Sequence, residues 1–209
     1  MTATLTPLIR IVDDDAELRE SQKMLLETLG WEVQTYPNAV TFLQDDSLIR
    51  PGCIILDVRM PSMTGLELQQ ELEKRHVKNI AIIFLSAHGD ISMAVHTLQH
   101  GAMDFLEKPV EPHILLQRVA TAIAKSIQLN ARQDEIDLLK SRVEKLSTRE
   151  REVALLVSQG MRNKSIAQKL GIEESTVKMH RANAVAKLAV SSTAELTRIF
   201  TILEILDKK

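Results

Sequence analysis

The chain has 209 residues, 44% of them apolar, and a net charge of −2, enough apolar material for one large or two small packed domains. No apolar run reaches the roughly 18 residues a transmembrane helix needs, and residues 1–7 lack the basic-then-apolar order of a signal peptide, so no membrane association is expected. Residues 1–124 carry 10 Lys+Arg and 17 Asp+Glu, a net −7, whereas residues 125–209 carry 16 and 11, a net +5; an acidic half joined to a basic one points to two domains with different partners. Along the first half, short apolar runs alternate with amphipathic stretches. Leu8–Val12 reads as a strand and Glu17–Leu29 as a helix ended by Gly30. Trp31–Tyr36 is a second strand, Ala39–Asp45 a short helix, Cys53–Leu56 a third strand and Gly65–Arg75 a helix. Ile80–Leu85 is a fourth strand, Ile91–His100 a helix ended by Gly101, and Met103–Leu106 a fifth strand. This spacing predicts βα units around a parallel sheet, with the continuously apolar third and fourth strands central. Cys53, the one cysteine, excludes an internal disulfide, reads as a small core residue and fits a reducing cytoplasm.

From Glu111 to about Leu146 the pattern is helical. Leu129, Ile136 and Val143 recur every seven residues, Leu139 and Leu146 fill intermediate positions, and Lys125 and Arg132 break the set. The stretch 125–145 is either a short coiled-coil seam or a linker helix with one apolar stripe. From Ser147 on, every segment is predicted helical: Arg149–Gln159, Asn163–Leu170, Glu174–Leu188 and Thr193–Leu206, with Gly160 and Gly171 between them. The expected organisation is 1–124, 125–145 and 146–209, α/β followed by all-α.

In an open parallel sheet, ligands bind beyond the carboxyl ends of the strands. Asp13, Asp14 and Asp15 end the first strand, Asp57 the third and Ser86 the fourth, and Lys108 follows the fifth. Clustered carboxylates need a cation, and oxygen-only ligands suit Mg²⁺. A lysine and a hydroxyl opposite them suit a transferred phosphoryl group, with Asp57 as the nucleophile that forms an acyl phosphate. Each residue also has a plainer reading, a helix cap or a surface turn, but one shared sheet edge favours the joint one.

Val12-Asp13-Asp14, Leu56-Asp57 with Met60-Pro61 and Gly65, Ser86-Ala87 and Lys108-Pro109 resemble the receiver domain of bacterial two-component response regulators. The separations (43 residues from Asp14 to Asp57, 29 on to Ser86, 22 on to Lys108) are close to those of that family. The resemblance covers Leu8 to Ala124. It implies a flavodoxin-like fold with five parallel strands and phosphorylation of Asp57 by a sensor histidine kinase. It further implies Mg²⁺ held by Asp14, Asp57 and the Arg59 carbonyl with help from Asp13, and phosphoryl contacts from Ser86 and Lys108. Phe105 stands at the position of an aromatic switch residue and reads equally as core. Haloacid dehalogenase-type phosphatases also place an Asp after an apolar strand, but they require a second acid two positions on, where this chain has Arg59; no enzyme is expected. His96 and His100 have a metal-ligand spacing without a Cys, Asp or Glu to complete a set, and read as a solvated helix face.

In the basic half, Asn163–Leu170, Gly171 and Glu174–Leu188 form a helix–turn–helix pattern. At about 100° per residue, Val177, Ala184 and Leu188 make a core stripe, while Ser175, Lys178, Met179, Ala182 and Ala186 point outward. Arg181 clamps a neighbour or reaches a phosphate, and His180 is structural. Lys178 suits a phosphate or a guanine edge, and Met179 and Ala182 a thymine methyl. Leu146–Glu152, Gly160, Asn163–Ala167, Leu170–Ile172, Thr176–His180 and Lys187-Leu188 resemble the LuxR-type helix–turn–helix of FixJ/NarL-type regulators. That resemblance covers Leu146 to Phe200 and implies a four-helix domain that binds promoter DNA as a dimer. Lys164, Ser175, Thr176, Lys178, Met179, Arg181 and Ala182 are the candidate DNA-binding residues. Ala189 departs from the glycine common in the family. The expected protein is a cytoplasmic transcription regulator that forms a homodimer on phosphorylation and has RNA polymerase as a partner. An adaptor whose helical domain contacts another regulator is the alternative.

Overall fold

The computed structural model describes residues 5–87 and 91–207, and side chains through residue 203. The chain divides into two compact units, Met1–Ala131 and Arg132–Lys209. The first holds β1 (Leu8–Val12), α1 (Ala16–Thr28), β2 (Val33–Tyr36), α2 (Ala39–Asp45), β3 (Gly52–Asp57), α3 (Gly65–Lys74), β4 (Ile80–Ser86), α4 (Ile91–Gln99), β5 (Asp104–Glu107) and the start of α5 (Pro112–Glu144). The five strands are all parallel, in the order β2-β1-β3-β4-β5. This is the expected doubly wound sheet, with boundaries within two residues of the predicted ones.

Strand alternation explains why helices cover both faces. From β3, Ile54 and Leu56 enter one core with Ile82, Phe84, Phe42, Leu68 and Leu72. Cys53 and Ile55 enter the other with Ile9, Ile11, Ile83, Leu85, Leu26, Leu115, Val119 and Ile123. A strand so sandwiched must be apolar throughout, and each fully buried Ile or Leu contributes roughly 1.5–3 kcal/mol. Arg10 sits inside β1 with no exposure. Its guanidinium pairs with Asp46 at 2.6 and 3.1 Å and donates to the carbonyls of Leu8 and Arg50, and the Tyr36 hydroxyl lies 2.7 Å from Asp46. Buried Ser126 on α5 accepts from the Gly52 N–H at 2.7 Å and donates to the Asn79 carbonyl, tying the helix to the starts of β3 and β4.

The second unit contains the end of α5 with α6 (Thr148–Ser158), α7 (Asn163–Leu170), α8 (Glu174–Leu188) and α9 (Thr193–Asp207). Ser147 and Glu150 form a reciprocal capping box at the start of α6. Buried Glu150 also accepts from Lys187 Nζ at 2.6 Å. That hydrogen bond, and then the Ser147 N–H, hold the Glu150 carboxyl below the usual range. The core joins Val153, Leu156, Ile166, Val177, Ala184, Leu188, Leu196 and Phe200. Leu139 and Val143 belong to it too, at 9% and 5% exposure. Two positions of the apolar stripe over 125–145 thus lie inside the unit, where the apolar surface of α6–α9 covers them. Leu129 remains outside, 40% exposed.

Candidate functional site

Strand register builds the first site. Val12 lies opposite Leu56, so the residues that follow, Asp13 and Asp57, end adjacent strands side by side. Ser86 lies opposite Glu107, so Lys108 leaves the sheet beside Ser86, and its N–H donates to the Ser86 carbonyl at 2.8 Å. Lys108 Nζ then reaches back across the edge, 2.6 Å from Asp13 Oδ2 and 2.8 Å from Asp57 Oδ1. The other Asp13 oxygen accepts from the Asp15 N–H at 2.9 Å, and the other Asp57 oxygen from the Arg59 N–H at 3.1 Å. Asp15 is the N-cap of α1, accepting from Glu17 and Leu18. Of the three acids after β1, one faces the cluster from a buried position, one is exposed and one caps the helix.

Gly65 lets α3 start close to Asp57. Its N–H donates to the Val58 carbonyl at 3.0 Å, and a Cβ there would lie 2.2 Å from the Asp57 carbonyl oxygen. Any other residue would push α3 off the loop that carries Asp57. Phe105 is partly buried against Phe84, with ring centroids 6.4 Å apart.

The electrostatics are unbalanced. Asp13 and Asp57 are 2% and 7% exposed. Burial raises the Asp57 carboxyl above its ordinary value, and Lys108 offsets only part of this. Burial works to lower the Lys108 ammonium, but its hydrogen bonds to Asp13 and Asp57 outweigh that and raise it. Three carboxylates against one ammonium leave negative charge for a further cation. Oxygens of Asp13, Asp14 and Asp57 lie within 4.8 Å of one another. That all-oxygen set fits a hard divalent cation. His96 on α4 and His100 just past its end are exposed and stack with ring centroids 4.1 Å apart, and no third ligand completes them among the described residues.

The second site is on α8. Val177, Ala184 and Leu188 are buried, while Ser175, Lys178, Met179, Ala182 and Ala186 are exposed, as is Lys164 on α7; Thr176 is half-buried. Arg181 is committed within the unit. It donates to Asn163 Oδ1 at 3.2 Å and to Thr193 Oγ1 at 3.1 Å, joining α7, α8 and α9. Gly171 and Ala189 end α7 and α8 in left-handed conformations, φ +66° and +54°. The departure at Ala189 therefore leaves the turn in the shape that glycine would adopt freely.

Residues 9–120 match the model of the response regulator receiver domain, and residues 144–200 that of the bacterial regulatory proteins of the luxR family. The chain is a response regulator. It is 42% identical over 192 residues to the response regulator protein TmoT of Ectopseudomonas mendocina, covering 92% of this chain and 87% of that protein. It is 38% identical to the transcriptional regulatory protein FixJ of Azorhizobium caulinodans, covering 91% and 90%. Among solved structures, the response regulator StyR superposes with a TM-score of 0.85 at 39% identity, covering 94% of this chain and 98% of StyR. This response regulator joins a receiver domain to a LuxR-type DNA-binding domain. No helix among the described residues is long and apolar enough to cross a membrane. The sequence pattern marks the receiver acids, Ser86 and Lys108. It does not mark Arg10–Asp46–Tyr36, since nothing local identifies a strand arginine as paired with an acid 36 residues away.

Proposed function

We propose that Asp57 accepts a phosphoryl group from a phosphohistidine of a sensor kinase, and that the phosphorylated chain dimerises and regulates transcription at promoter DNA in the cytoplasm. The observation that carries this reading is Lys108 Nζ held between Asp13 and Asp57. An Asp57 oxygen attacks phosphorus, the acyl phosphate bond forms, the histidine N–P bond breaks, and its electron pair returns to the imidazole. Burial makes Asp57 more basic than a free carboxylate, which favours attack. Lys108 and the Ser86 hydroxyl stand at the same edge to donate to phosphoryl oxygens. Asp13, Asp14, Asp57 and the Arg59 carbonyl would hold Mg²⁺, whose charge, when bound, neutralises the transferred group. Phe105, packed on Phe84, is the candidate to sense the change at the edge.

In the second unit, α8 enters the major groove, where Ser175, Thr176, Lys178, Met179 and Ala182 face bases or backbone, and Lys164 on α7 holds a phosphate. Arg181 positions the three helices instead of meeting DNA. The two partners that follow are the kinase upstream and RNA polymerase downstream.

The test is intact mass after incubation with a small acyl-phosphate donor and Mg²⁺. Wild type gains one phosphate, and Asp57→Asn, which keeps size but loses the nucleophile, gains none. Equal incorporation by the variant would overturn the assignment.

A further inference from the structure

Asn183 lies outside the residues that the sequence pattern marks for DNA, yet its surroundings single it out. It is exposed on α8, between exposed Ala182 and, one turn on, exposed Ala186. At about 100° per residue, Asn183 sits roughly 60° from the middle of the face opposite the Val177–Ala184–Leu188 stripe, and Lys178 roughly 80° on the other side. Asn183 is thus at least as central to the outward face as Lys178. The middle of that face holds Ser175, Met179, Ala182 and Ala186. Three of the four are small, which lets a helix seat deeply enough for its third turn to meet base edges.

Three longer side chains on α8 already have partners. Arg181 is held by Asn163 and Thr193, Lys187 by Glu150, and Lys178 lies 3.4 Å from Glu174. The Asn183 amide has no hydrogen-bond partner among the described residues. An amide with one donor group and one acceptor, projected into a major groove, matches the N6–H and N7 of adenine and no other base as well. The neutral side chain gives little to a phosphate compared with the lysines nearby.

We infer that Asn183 reads an adenine through a bidentate contact, and that Met179, one turn earlier, packs near the bases about two steps away along the groove. At 1.5 Å per residue the two side chains are roughly 6 Å apart along the helix, against about 3.4 Å per base step. The inference rests on the placement of α8 in the major groove and adds a base identity to it.

The experiment selects full-length, donor-phosphorylated protein on a randomised duplex library, for wild type, Asn183→Ala and Asn183→Gln. Wild type enriches a site with a fixed A·T pair. Asn183→Ala loses discrimination at that pair alone by roughly 5- to 150-fold, the worth of one bidentate contact, and keeps the other positions. It also keeps the wild-type slope of binding against salt, because no phosphate contact is lost. Asn183→Gln, whose longer amide misplaces the same groups, lowers the preference without abolishing it. Unchanged preferences in Asn183→Ala, or a slope smaller by about one unit on all sequences, would overturn the base assignment while leaving α8 in the groove. A wild type that enriches no sequence would overturn the groove placement and this inference with it. Circular dichroism melting, expected to be the same for all three proteins, separates these outcomes from misfolding.

Discussion

Arg10 and Asp13 lie within and just past the same strand, each in a buried group of charges, and the two groups are built on opposite principles. Around Arg10, one cation meets one carboxylate, and two further hydrogen bonds go to backbone carbonyls. Burial pushes the Asp46 carboxyl up, but the Arg10 hydrogen bond, the Leu48 N–H and the Tyr36 hydroxyl outweigh it and leave the carboxyl below its ordinary value. Around Asp13, Lys108 serves two buried carboxylates with a third beside them, and Asp57 stays above its ordinary value. The first group is complete and belongs to the scaffold. The second is short of positive charge, which suits a site that takes up a cation and a phosphoryl group.

The largest test of this contrast is Arg10→Ala. It strands Asp46 in the core without its partner, and should cost roughly 3–5 kcal/mol of unfolding free energy, read from urea denaturation. A loss below about 1 kcal/mol, the scale of an exposed ion pair, would show that the network is not the closed unit described. Next in size is the response to Mg²⁺. A cation bound only by the folded chain stabilises it by roughly 2.7 kcal/mol at a hundredfold excess over Kd. Thermal melting across a Mg²⁺ series should show a saturable rise in wild type and a smaller one in Asp14→Asn. Identical rises in both would remove Asp14 from the cation site.

The smallest effect separates the two groups by sign. Asp57 binds its proton more readily folded than unfolded, so its ionisation costs stability as pH rises through its folded value, and the cost is complete above it. Asp46 is the reverse, since its contribution is present at neutral pH and lost as pH falls through its depressed value. Asp57→Asn should therefore stabilise the protein by roughly 0.5–2 kcal/mol at neutral pH. That gain should fade once acid protonates Asp57 in wild type. Denaturation midpoints of both proteins from neutral to acid pH check it, and a gain that grows on acidification would reverse the assignment.

Much of this was legible in the sequence, for identifiable reasons. Apolar runs marked the strands because a doubly covered sheet tolerates little else, and acids at strand ends stood out because apolar residues precede them. What stayed hidden depends on partners far along the chain. Arg10 meets Asp46, Arg181 meets Asn163 and Thr193, and Leu139 and Val143 meet a core built after residue 150. No periodicity reveals which surface an apolar stripe will choose. Ala189 was visible as a missing glycine, but only its φ of +54° shows that the chain keeps the left-handed turn with a side chain in it.

The burial of Leu139 and Val143 also bears on how the gene can be cut. A fragment that begins at Leu146, where the helix–turn–helix pattern starts, leaves both side chains behind and uncovers the apolar patch they fill. It would also drop the bond from Arg142 to the Leu188 carbonyl, 3.2 Å long, at the end of α8. A fragment that begins at Arg132 carries its own cover. The practical unit for recombining this DNA-binding module with other sensors therefore includes the last three turns of α5, and a junction placed later would weaken the module for reasons unrelated to DNA.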